Sequence, residues 1–227
     1  MARKLEHDLS DLKDRVLRMG SLVEDAIRKS IKALVERDRD LAVSVIDGDA
    51  IVNAYDVEIE EECIRLLAIW QPTGSNLRFI TTAIKIITDL ERMGDLAVDI
   101  CERTIELLDE PQLKPYIDIP RMAEAAQKML KDSLDSFVEK DAELAVQVCA
   151  ADDFVDKLNH QIFNELLVYM LQDPKNISRA VRLTYITKYL ERIGDHATNI
   201  AEMVVYMVEG KVIRHLACEV KRETEMK

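Results

Sequence analysis

With 227 residues, 33% of them charged, and only six Gly, five Pro and one Trp, the chain has the composition of long helices and little of the turn and strand chemistry of β folds. A formal net charge of −12 excludes a nucleic-acid binder, because a phosphate backbone is gripped by an excess of Lys and Arg. The same charge suits cations or basic partner surfaces, or serves only to keep the chain dispersed.

Apolar residues recur at helical spacing from the start. Leu5, Leu9, Leu12, Val16, Met19, Val23, Ile27, Ile31 and Leu34 hold one face for roughly eight turns, which predicts a single long helix. A second helix is expected from about Asp40 to Trp70. Pro72, Thr73 and Gly74 then mark a turn, after which Ser75 or Asn76 caps a third helix running to about Leu108. Pro111, Pro115 and Pro120 make the only Pro-rich stretch, which reads as a linker over 111–120.

Beyond the linker the pattern restarts. Arg18-Met19 matches Arg121-Met122, Ser30-Ile31 matches Ser133-Leu134, Asp38 matches Asp141, and Leu41-Ala42-Val43 matches Leu144-Ala145-Val146, all 103 residues apart. Leu66-Leu67 and Leu166-Leu167, Asn76-Leu77 and Asn176-Ile177, and Leu90-Glu91-Arg92 and Leu190-Glu191-Arg192 lie 100 apart, so a three-residue slip falls between the blocks. Solenoid repeats run only about 20 to 50 residues, so this period signals duplication of a domain. The expected architecture is all-α, two tandem three-helix bundles over residues 1–110 and 121–227.

Cys63, Cys101, Cys149 and Cys218 form no C-x-x-C pair and hold no equivalent positions in the two copies. That argues against a zinc site or a disulfide framework and for a reducing cytoplasm. Met1 to Asp8 lack the apolar segment of a signal peptide. The longest uncharged run, Leu66 to Leu77, is interrupted by Pro72 and Gly74, so no transmembrane segment is expected.

The repeated stretches Leu90-Glu91-Arg92-Met93-Gly94-Asp95 and Leu190-Glu191-Arg192-Ile193-Gly194-Asp195 carry the chemistry. Acids four residues apart mean little alone, since a chain this acidic holds about eight such pairs by chance. Placement makes them informative. At about 100° per residue, Glu91 and Asp95 fall beside Ile84, Ile87 and Val98 on the apolar stripe, so they are expected to face a neighbouring helix. Buried carboxylates need cations, hydrogen bonds or metal. The preceding helix offers more oxygen ligands at i, i+4 and i+7: Asp49, Asn53 and Asp56 in the first copy, and Asp152, Asp156 and Asn159 in the second. Facing stripes of oxygen donors make a cage for Mg²⁺, Mn²⁺ or Fe. The competing arrangement pairs Glu91 and Asp95 with Arg92 or Lys85, or leaves them at a wet edge. A mid-helix Gly costs about 1 kcal/mol relative to Ala, so Gly94 and Gly194 signal close backbone approach or room for a bound species.

Other chemistries fail on residue identity. A di-iron Glu-x-x-His motif would need His where Gly194 stands, so His196 is at most an optional ligand. Asp47-Gly48-Asp49 lacks the remaining ligands of a calcium loop. There is no Gly-rich phosphate loop, nucleophile elbow or Cys/His dyad, and no enzymatic activity is expected.

The stretch from Leu190 to Asn199, its partner from Leu90 to Asp99 and the tandem three-helix units together resemble the PhoU family of phosphate-transport regulators, from about Leu5 to Met207. The resemblance implies metal clusters of Fe, Zn, Mn or Mg on the bundles. Their ligands would be Asp49, Asn53, Glu91 and Asp95 in the first copy and Asp152, Asp156, Glu191 and Asp195 in the second, with Asp99 and Asn199 as further candidates. Asn53 stands where the signature has an acid, which weakens the first site by one charge. The resemblance also implies a cytoplasmic, often dimeric adaptor that represses phosphate-starvation signalling. Its partners would be the ATPase of a phosphate ABC transporter and a sensor histidine kinase, through which it could reach the membrane periphery. The alternative is a metal-dependent catalyst or metal store using the same carboxylates.

Overall fold

The structure, a computed structural model, describes residues 2–211. It contains α1 (Ala2–Glu36), α2 (Arg39–Trp70), α3 (Gly74–Leu108), α4 (Asp118–Glu139), α5 (Ala142–Gln172), a single 3₁₀ turn at Pro174–Asn176, and α6 (Ile177–Glu209), with no strand among the described residues. Cys218 and the rest of 212–227, assigned above to the second unit, lie outside these residues.

Each copy opens with the same tight joint. Arg37 and Lys140 take the left-handed conformation, with φ of 57° and 56°, a choice that costs a residue with a Cβ about 1 kcal/mol or more. An aspartate follows in both. Asp38 accepts from the Leu41 N–H at 2.9 Å, and Asp141 accepts from the Glu143 and Leu144 N–H groups at 2.9 and 3.0 Å, satisfying donors the next helix would otherwise leave open. Arg37 gains a further anchor by donating to the Leu108 and Glu110 carbonyls, each at 2.8 Å, at the far end of α3.

The two bundles meet along α1 against α4 and α3 against α6, while α2 and α5 lie outermost, each packing among the described helices against the two long helices of its own copy. Leu12, Val16, Met19, Val23 and Ile27 of α1 are fully enclosed, as the heptad-like spacing predicts. Phe79 of α3 stacks on Phe137 of α4 with ring centroids 5.1 Å apart, joining the copies. The connecting segment is shorter than the proline pattern implies, because α4 begins at Asp118 and Pro120 sits in its first turn, where no N–H donor is required. Within the connection, the Lys114 side chain is only 4% exposed and its ammonium pairs with Glu165 of α5. No helix of the described residues is long and apolar enough to cross a membrane.

The three-residue slip between the copies has a definite place. Asp49 and Val52 occupy the same relation to Gly94 as Asp152 and Val155 do to Gly194, so α2 and α5 keep the 103 offset while α3 and α6 keep 100. The pairing of Leu66-Leu67 with Leu166-Leu167 is therefore a coincidence of sequence. Gln71, Pro72 and Thr73 are the residues without a counterpart, since Asp173 leads directly into the 3₁₀ turn.

Candidate functional site

Both repeated Gly residues lie where the outer helix presses hardest on its neighbour. A Cβ on Gly94 would stand 3.2 Å from Asp49 Oδ1 and 3.3 Å from Val52 Cγ1; on Gly194 it would stand 3.3 Å from Asp152 Oδ1 and 3.6 Å from Val155 Cγ1. The missing side chain thus lets an aspartate of the preceding helix settle against the α3 or α6 backbone. Close approach is the role of these glycines, and what approaches is a carboxylate.

In the α2/α3 seam the acids feel one another. Burial raises the pKa of Glu91, Asp95 raises it further, Arg92 lowers it, and Asp56 and Asp49 add to the rise. Asp49 is likewise raised by burial, eased by a hydrogen bond from Asn53 Nδ2 at 2.8 Å, and raised again by Asp95. Burial and Glu60 raise Asp56, against Arg92. Arg92 supplies the local cation, 3.1 Å from Asp95 and 3.3 Å from Glu91. The pairing weighed above as the competing arrangement is therefore present in this copy.

In the α5/α6 seam Asp195 sits at the rim, open to water on one side and crowded on the other. Burial raises its pKa first, then Glu191 and Asp156, against Lys188 and His196. Lys188 pairs with Glu191 one turn before it. Asp156 stands where the first copy has Asn53, and Asn159 where it has Asp56, so the two seams carry the same number of carboxylates at different positions.

Asp99 and Asn199 belong to other surroundings. Asn199 donates to Asp89 at 3.3 Å, and His196 Nδ1 lies 2.8 Å from the same oxygen, both across the contact between α6 and α3. Asp99 is raised by burial and by Glu102, with Arg103, Asp95 and Arg192 as its other charged neighbours. Asp89 went unnoticed in the sequence, because nothing in the spacing announces that the far face of α3 meets α6. The buried thiols are inert: burial pushes Cys63 and Cys101 up to about 12 and Cys149 up to about 11.

Among the described residues no group of three or more His, Cys, Asp or Glu side chains converges to hold a metal ion. The donor chemistry nevertheless fits a hard cation. All the ligand candidates are oxygen donors, those other than Asp99 and Asn199 gather in the seams beside a glycine, and the mutual repulsion of their carboxylates is what a cation would relieve. A cleft of about 570 Å³ lies between α4 and α5 beside Arg121, Lys128, Asp132 and Phe154.

The family model described as the PhoU domain matches the chain twice, over residues 16–104 and 119–204. The phosphate-specific transport system accessory protein PhoU homolog of Aquifex aeolicus is 44% identical over 220 residues, covering 97% of this chain and all of that one. Its counterpart from Pseudomonas aeruginosa is 38% identical over 227 residues, covering 99% and 94%. The crystal structure of PhoU from Pseudomonas aeruginosa superposes with a TM-score of 0.87 at 39% identity, covering 91% of this chain and 99% of that one. That of the phosphate transport system regulatory protein PhoU from Streptococcus pneumoniae gives 0.86 at 30% identity, covering 92% and 99%.

Proposed function

The chain belongs to the PhoU family, and on that premise we propose that it regulates phosphate uptake as a cytoplasmic adaptor. It couples a phosphate ABC transporter, through its ATPase subunit, to a sensor histidine kinase, and so represses the phosphate-starvation response. It acts as a homodimer. The observation that supports a regulatory rather than a catalytic role is where the acids lie: on two helix seams, none of them lining the 570 Å³ cleft between α4 and α5.

Metal enters this reading as a structural or sensory element. Asp49, Glu91 and Asp95 would hold a cation in the first seam, and Asp152, Asp156, Glu191 and Asp195 in the second, with Fe, Zn, Mn or Mg as candidates. A bound cation supplies charge neutralisation there, while the residues themselves tie the outer helix of each copy to its inner neighbour. The deciding experiment expresses the chain in a bacterium lacking its own PhoU protein and follows a phosphate-starvation reporter at high phosphate. Repression is expected, and a reporter that stays fully on removes the regulatory reading.

A further inference from the structure

The outward face of α2 is built like half of a coiled coil. Val43, Ala50, Ala54, Val57, Ile64 and Ala68, with Asp47 and Glu61 between them, follow the alternating four and three spacing of a helix seam. All eight are exposed, Val57 and Ile64 to 55% and 57%, because among the described helices α2 packs against α1 and α3 alone. The seam runs about 38 Å at 1.5 Å per residue, and its alanines allow a second helix to approach closely. The equivalent face of α5 is different: Val146, Leu167 and Leu171 survive at its ends, but Asp153, Lys157, His160 and Asn164 fill the middle. Two of the eight seam positions are polar on α2, and four in succession on α5.

Charge identifies the occupant. Asp40, Asp47, Glu58, Glu60 and Glu61 are exposed on α2, and none is ion-paired among the described residues. The two basic residues of the helix are engaged elsewhere, Arg39 with Asp109 at 2.9 Å and Arg65 with Glu62 and Asp8. A second copy docked on this face would set five uncompensated acids against five. A helix with Lys and Arg flanking its own apolar stripe meets both the seam and the charge.

We propose that the outer face of α2 docks a basic amphipathic helix of a partner protein, packing along Val43 to Ala68. The adaptor reading enters only in naming whose helix it is; the face itself stands on exposure, spacing and charge.

The test uses the full chain and a labelled synthetic helical peptide with a Leu/Ala seam and Lys/Arg flanks, beside a peptide of the same composition with the seam shuffled. Val57→Lys with Ile64→Lys, and separately Glu58→Lys with Glu61→Lys, are expected to weaken binding at least about tenfold, the scale of losing anchor residues. Leu167→Lys with Leu171→Lys on α5 should leave it within about twofold, and the shuffled peptide should bind as poorly as the α2 variants. All these positions are exposed or half-buried, and the charge-reversed pair carries the test if the apolar pair fails to fold. Equal binding by every variant, equal loss in the α5 control, or a native dimer that Val57→Lys with Ile64→Lys dissociates would overturn the proposal. The reporter assay separates the two readings. A chain that binds the peptide through α2 yet fails to repress keeps the face and loses the adaptor role, whereas repression with peptide binding untouched by the variants does the reverse.

Discussion

In the first copy Arg92 reaches both Glu91 and Asp95, and Asn53 bonds Asp49. In the second, Lys188 holds Glu191, while Asp195 feels the repulsion of Glu191 and Asp156. The backbone plan is the same, a glycine under an aspartate. The charges around it are not. A helix crossing set by a missing Cβ leaves no room for a large side chain, and both copies keep it, whereas half-exposed ions exchange partners at little energetic cost and differ between the copies. The two seams therefore surround the same backbone plan with different arrangements of charge.

The largest difference between the copies lies at their outer helices. Glu165→Ala leaves the Lys114 ammonium enclosed without a counter-ion, and unfolding by denaturant should show a loss of about 2 kcal/mol, below the full buried-pair value because Glu165 is itself partly exposed. Glu62→Ala, at the equivalent position, frees only the exposed Arg65 and should cost under about 0.5 kcal/mol. Equal losses would mean that Lys114 reaches water.

Filling the glycines tests the shared plan. Gly94→Leu and Gly194→Leu should each destabilise by about 1–3 kcal/mol through overpacking. Alanine separates the seams: each new methyl must push an aspartate oxygen back slightly, Asp152 Oδ1 at 3.3 Å or Asp49 Oδ1 at 3.2 Å, but Gly194→Ala meets Val155 only at ordinary contact and should gain up to about 1 kcal/mol of helix propensity. Gly94→Ala presses on Val52 at 3.3 Å and should gain less. Thermal melts of the four variants decide it.

Exchanging the unequal position tests the charge difference. Asp156→Asn should lower Mn²⁺ or Zn²⁺ affinity of the second seam by about tenfold, and Asn53→Asp should raise that of the first by a similar factor. Calorimetric titration after chelation is the measurement, and unchanged affinities in both variants would dissociate the seams from metal.

The smallest effect is in pH. Glu91 titrates above its ordinary 4.5 in the folded chain, so the folded state binds the proton more tightly than the unfolded one. Its ionisation therefore destabilises the metal-free protein. That penalty is fully present above the folded pKa and disappears as pH falls through it toward 4.5. Glu91→Gln should stabilise the chelated protein by a few tenths of a kcal/mol, roughly, near neutral pH, with the gain vanishing below the ordinary carboxylate range. A gain that persists in acid would point to packing rather than repulsion.

Six long helices, their order and the duplication were legible in the sequence because they rest on periodicity and capping, which are local. The repeated glycines signalled either a close approach or room for a bound species, whereas Asp38 and Asp141 matched only as repeat positions until the structure showed them capping α2 and α5. Three things were not legible. Asp89 as the partner of His196 and Asn199 depends on which face of α3 meets α6. The true site of the three-residue slip was hidden by the chance likeness of Leu66-Leu67 to Leu166-Leu167 and emerged only from what lies over each glycine. Pro120 read as linker because its place in a first turn depends on where the preceding chain enters.

The sequence by itself determined that this is a duplicated helical protein with a carboxylate stripe in each copy, since spacing along one helix fixes which residues share a face. Only the tertiary structure decided what each face meets. It set Asp49 over Gly94 and Asp152 over Gly194, turned Asn199 toward Asp89, and left the apolar seam of α2 without a neighbour among the described residues. The physical reason is that a helix's own periodicity is settled by hydrogen bonds within a turn, whereas the choice of neighbour is settled by the packing of the whole bundle.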